Sequence, residues 1–179
     1  MKKSAKITFY KSELLYEIQN KTYLTGKSRQ GDGNFEQVSN MQASEEEEHL
    51  NQMLESIGNN FLLLCSKLSD MSPVGIVNNI DSKDIQIDKD GILFFNLSIP
   101  SNYNMNLIHS ITSICHKFII YSSVGDWFLI TKPDEADRYY IMAKNSLVEL
   151  REIINKRVCP SRTDPMSVPP SPSPASVPI

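Results

Sequence analysis

The side chains able to do chemistry are few, and they are scattered along the chain. A nucleophile, an acid-base pair or a metal site would have to be built from His49, His109 and His116, from Cys65, Cys115 and Cys159, from the glutamate run Glu45 to Glu48, or from Asp81, Asp84, Asp88 and Asp90. None of the histidines stands in an HExxH pattern, and His109 and His116 are seven residues apart on one predicted helix while His49 belongs to another. A Cys115/His116 dyad fails because neighbours on a helix diverge by about 100°. The cysteines are odd in number and share no CxxC spacing, and two of them fall on apolar stripes, which predicts buried thiols. Successive glutamates on a helix point in different directions, so Glu45, Glu46, Glu47 and Glu48 read as a helix start rather than a carboxylate site. The aspartates lack the D-x-D-x-D-G pattern and closing Glu of a calcium loop. Gly26, Gly31 and Gly33 lack the preceding strand and the GK[ST] of a phosphate loop. The expectation is a chain with no catalytic residue, no metal site and no cofactor, hence not an enzyme, whose function lies in assembling with other protein chains.

The elements that would position these groups are mostly helical. Ile7 to Tyr10 is a brief extended candidate. Ser12 can then cap a helix through about Thr25, with Leu14, Leu15, Ile18 and Thr22 at helical spacing and Gly26 as its stop. Residues 26–40 lack periodicity and predict a flexible loop. Ser44 followed by Glu47 forms a capping box, after which Leu50, Leu54, Ile57, Phe61, Leu64 and Leu68 make one apolar seam. Ile85 and Ile87, the turn at Lys89-Asp90-Gly91, and Leu93, Phe95, Leu97 and Ile99 predict a β-hairpin at about 84–99. From Asn104, apolar residues on two faces (Leu107, Ile108, Ile111, Ile114, Cys115, Phe118, Ile119, on to Trp127 and Ile130) predict a central buried helix. Pro133 and the acids behind it start a last helix whose seam is Ala136, Tyr140, Ala143, Leu147, Leu150 and Ile154. Two such seams imply mutual packing. Five of the last eleven residues are proline, which predicts a disordered or polyproline tail. The expected fold is mainly α (α+β): a basic arm at 1–10, a domain at 11–160 built of three to four helices and one hairpin, and a disordered tail at 161–179.

At 179 residues, with 40% apolar and 22% charged residues, the chain can bury a real core. It offers no run of roughly 18 apolar residues for a membrane span and no cleavable leader, so synthesis in the cytosol is expected. Charge is segregated. Residues 1–29 hold seven Lys/Arg against two Glu, residues 30–100 hold three Lys against twelve acids, and residues 101–179 hold eight basic against seven acidic groups. The basic arm is too short, and too poor in interleaved aromatics, to predict sequence-specific nucleic-acid binding. The segregation does suit subunits that meet through unlike patches, with Lys2, Lys3, Lys6 and Lys11 and the C-terminal Arg151, Lys156 and Arg157 facing Glu45, Glu46, Glu47 and Glu48 of a neighbour.

The block Tyr121-Ser-Ser-Val-Gly-Asp126-Trp127-Phe128, followed by Lys132-Pro-Asp-Glu-Ala-Asp-Arg-Tyr139-Tyr140 and by Asn155-Lys156-Arg157-Val158, carries a resemblance, as does the early segment Leu15 to Gly26. Over about residues 6 to 160 the chain resembles an uncharacterised family of phage and prophage proteins from gut Bacteroidota. Its helix-W-F-x-x-T-x-x-x-x-A-x-x-Y-helix layout is similar to small helical head-tail connector (neck) subunits. The resemblance implies a virion structural protein made in the cytoplasm of a bacterial host, an oligomeric ring former beside phage portal or tail proteins. The alternatives are another assembly factor (tail completion or minor capsid) or a non-enzymatic adaptor for one partner. The proline-rich tail is not part of the family pattern, and the family has no catalytic motif to carry over.

Overall fold

A computed structural model describes residues 3–31, 33–44, 46–71, 86–87, 91–99 and 103–156. The chain is mainly α, with five α-helices and one small antiparallel sheet among the described residues. Lys2, Glu45, Cys159, Arg157, the four aspartates between 81 and 90, the hairpin turn at 88–90 and the tail at 161–179 lie outside the described residues, and of Lys3 only the backbone is described.

Residues 3–10 are not a free arm. Lys3–Tyr10 form strand β1, paired antiparallel with β3 (Ile92–Ile99) along its whole length, from Lys3 opposite Ile99 to Tyr10 opposite Ile92. The physical reason is alternation: Ile7 and Phe9 point inward with their cross-strand partners Phe95 and Leu93, and all four are buried. Strand β2 (Gln86–Ile87) adds the expected hairpin partner on the other edge, giving the order β1-β3-β2.

Helix α1 (Lys11–Ser28) follows β1 without a loop. Ser12 does not cap it, because the Lys11 N–H already donates to the Gly91 carbonyl at 2.8 Å, so the sheet supplies the partner a cap would have given. Gly26 does not stop it either. Gly26 is a buried helical residue where a Cβ would come within 3.2 Å of the Val38 carbonyl, and the small residue lets the next segment approach. That segment, expected as a loop, holds a two-turn helix, α2 (Phe35–Met41), which buries Val38 and Met41 three residues apart.

Helix α3 (Glu47–Met71) buries Ile57, Phe61, Leu64 and Leu68 as its seam predicted, and adds Met53 and Cys65. Ser44 stands at its entrance, but in place of a reciprocal box with Glu47 its hydroxyl accepts from the Glu46 N–H at 3.3 Å and pairs with His49 Nδ1 at 2.6 Å. After a 3-10 turn (Met105–Leu107), helix α4 (Ile108–Thr131) is buried on two faces, from Ile111 to Phe128, while Ile130 is exposed. Lys132 alone separates it from α5 (Pro133–Ile154). The seams of α3 and α5 do not interlock with each other as expected. Each meets α4, which is apolar on both sides and lies between them. No helix among the described residues is long and apolar enough to cross a membrane.

Candidate functional site

Among the described residues, two groups of polar side chains lie along α4. The first is centred on Asp126. Its Oδ2 accepts from Ser56 Oγ at 2.5 Å and from Asn60 Nδ2 at 2.7 Å, both on α3, and its Oδ1 accepts from the Tyr140 hydroxyl of α5 at 2.8 Å. Asn60 also donates to Ser123, one turn back along α4, at 3.3 Å. Gly125 belongs to this arrangement: a Cβ there would lie 2.8 Å from the Tyr140 ring, so glycine is what lets Tyr140 reach the carboxylate. Burial pushes the Tyr140 phenol well above its ordinary range, and the hydrogen bond to Asp126 pushes it further the same way. The cluster is satisfied on every side named, and it fixes the register of three helices.

The second place lies nearer the start of α4. Glu13 and Glu17, one turn apart on α1, face His116, and one donor atom from each residue lies within 4.8 Å of the other two. His116 Nδ1 is 4.0 Å from Glu17 Oε1, beyond hydrogen-bond length, and its Nε2 is buried without a partner. The ring stacks on Phe9 of β1 with centroids 6.2 Å apart. Beside it opens a cavity of about 260 Å³ lined by Thr8, Glu13, His109, Thr112, Ser113 and His116.

The other thiols and charges fall as follows. Cys65 and Cys115 are both buried, and burial pushes the Cys65 thiol up to about 12 and the Cys115 thiol higher still, so both are held as neutral thiols. Lys6 lies over the Phe94 ring of β3, its Nζ 3.9 Å from the centroid. Glu46, Glu47 and Glu48 are exposed at the start of α3, where Glu46 and Glu48 line a groove of about 580 Å³ with His49, Gln52, Trp127 and Ile130. Arg151 and Lys156 are exposed at the far end of α5.

Helix directions decide how these charges relate. Ser56 and Asn60 meet Asp126 and Ser123 in reversed order, so α3 runs antiparallel to α4, and α5 returns along α4 to bring Ile153 to the Tyr103 hydroxyl at 3.1 Å, beside the start of α4. The acidic run therefore lies at the end of the bundle where α4 stops, and Arg151 and Lys156 lie at the end where α4 starts. A helix of 22 residues, about 33 Å long, separates the two. The structure thus does not bring the basic and acidic groups together within one chain.

Sequence reasoning passes over Ser56 and Asn60, places Tyr140 only in an apolar seam and Asp126 only in the block that carries the resemblance, and assigns no role to Glu13 and Glu17. The available signals were an ionisable residue in the middle of an otherwise apolar helix and two glutamates spaced four apart. Compared with known proteins, the chain matches no family model, no curated protein and no solved structure.

Proposed function

We propose that this chain is a phage virion structural protein, a head-tail connector (neck) subunit that assembles head to tail into a ring beside the portal. The observation that carries the reading is the placement of unlike charges at opposite ends of one rigid bundle, Glu46, Glu47 and Glu48 at one end and Arg151 and Lys156 at the other. A ring requires heterologous contacts, in which one patch meets a different patch on the next copy. The groove lined by Glu46, Glu48 and Trp127 offers a concave acidic seat for a neighbour's basic end. Exposed apolar side chains supply contact area: Leu129 and Ile130 beside that groove, and Ile141 and Val148 along the outer face of α5. The phage assignment itself rests on the sequence resemblance.

Light scattering behind size exclusion tests the assembly. A defined oligomer is expected at low salt and should weaken toward molar salt, as the Debye length falls from about 10 Å to about 3 Å. Reversing Glu46, Glu47 and Glu48 to lysine should disrupt the oligomer and leave the monomer folded, since only a helix-end contribution of about 1 kcal/mol is lost. An oligomer indifferent to both salt and reversal would refute this contact. A stable monomer that binds one different protein would favour the adaptor reading. Mass spectrometry of purified virions tests the location.

A further inference from the structure

The geometry points to a site for a divalent transition-metal cation of the zinc class, formed by Glu13 and Glu17 of α1 and His116 of α4. The three residues sit on two helices that run side by side in the same direction, with Glu17 opposite His116 and, one turn on, Lys21 over the Tyr121 ring. Their donor atoms lie within 4.8 Å of one another. Around zinc, nitrogen and oxygen ligands at about 2.0–2.2 Å stand roughly 3.4 Å apart, so the set must contract by up to about 1.4 Å. Glu13 is exposed and Glu17 partly so, and long carboxylate side chains can make that adjustment while the imidazole, stacked on Phe9, stays in place.

An independent observation concerns the imidazole alone. The His116 side chain is 80% removed from solvent, yet among the described residues neither ring nitrogen has a hydrogen bond: Nδ1 stops 4.0 Å short of Glu17, and Nε2 is buried and unpartnered. Buried polar atoms are ordinarily satisfied, and an exception calls for a ligand or another physical account. A cation held between Nδ1 and the two carboxylates would give Nδ1 the partner that Glu17, 4.0 Å away, does not, would leave Nε2 as it is, and would offset two like charges one turn apart on α1. The cavity beside Glu13 and His116 gives the ion a way in and room for a water to complete four-coordination. One imidazole among the donors favours zinc or nickel over magnesium, calcium and manganese, which suit oxygen ligands. Such an ion would tie the β1-α1 corner to α4.

The alternative for these residues is a loose contact of His116 with Glu17 and no ion, and the test separates the two. The full chain, stripped with chelator and dialysed, is titrated with zinc by calorimetry and followed by thermal melting and by NMR of the histidine ring nitrogens. One site is expected, with a rise of about 5 °C in melting temperature at saturation and a shift of the His116 nitrogen signals. The paired substitutions Glu13→Gln and Glu17→Gln should weaken binding at least tenfold and abolish the rise. Glu55→Gln, an exposed glutamate of α3, should change neither. Magnesium should not substitute. No heat and no shift with zinc or nickel would overturn the site, as would binding that survives the double substitution or is lost with Glu55→Gln.

Discussion

Asp126 and His116 stand ten residues apart on α4, and their surroundings differ in one respect that decides what each can do. Asp126 faces α3 and α5 and meets a donor at each oxygen: Ser56 and Asn60 at one, Tyr140 at the other. His116 faces β1 and α1, where its neighbours are an aromatic ring and two acceptors held too far away to bond. A satisfied polar cluster spends its bonding capacity on holding helices together, and nothing is left over for a ligand. An unsatisfied one keeps that capacity. The same helix thus carries a polar lock at one end and, at the other, donors still open to a ligand.

The comparison can be broken first by asking whether a buried carboxylate needs its donors. Ile57 is fully buried on α3, adjacent in sequence to Ser56 but turned to a different side of the helix. Ile57→Asp places a carboxylate there with no partner, at a cost of about 4 kcal/mol or more, and the protein should unfold, as followed by circular dichroism and urea titration. A variant melting within a degree of wild type would mean that donors are unimportant in this core and that the contrast has no energetic content. Asp126→Ala comes next. It leaves Ser56, Asn60 and Tyr140 without their shared acceptor and should cost about 3 kcal/mol, lowering the melting temperature by about 9 °C. A loss under a degree would show that the lock is decorative.

How much of this was legible in the sequence depends on the range of the interaction. The seams of α3 and α5 and the two-sided burial of α4 are periodicities within one segment, and Ile57, Phe61, Leu64, Leu150 and Ile154 are buried as the spacing predicted. Features set by a second segment were misread. Gly26 looked like a helix stop because the approach of Val38 that requires it is a tertiary fact. Of strand Lys3–Tyr10 only Ile7 to Tyr10 reads as extended, behind an apparent basic arm, because its partner, β3, lies some ninety residues away in the chain. Asp126 finds its donors at Ser56 and Asn60, 70 and 66 residues distant, and no local pattern announces such a meeting. The glutamates at 13 and 17 were visible as an i,i+4 pair, but only the parallel course of α1 and α4 brings them to His116.

The smallest effect is expected at Tyr140, and it reports on the lock through pH. Tyr140→Phe removes one hydroxyl donor from Asp126 and should cost about 1 kcal/mol at neutral pH. Burial first, then the hydrogen bond and the charges of Asp126 and Asp137, raise the phenol in the folded chain above the 10.0 of a free tyrosine. For an acid whose folded value is raised, the folded state holds a proton that the unfolded chain has released, so the stabilisation is complete below pH 10 and fades as pH climbs beyond it. The stability difference between wild type and Tyr140→Phe, measured by urea titration, should therefore be constant from pH 7 to about 9 and shrink steadily above 10. Lysine and other tyrosine titrations act on both proteins alike and cancel in the difference. A difference that stayed flat through pH 11 would mean that the Tyr140 hydroxyl ionises as freely in the folded chain as in the unfolded one. Asp126 would then be bonded from α3 alone, and the lock would join two helices instead of three.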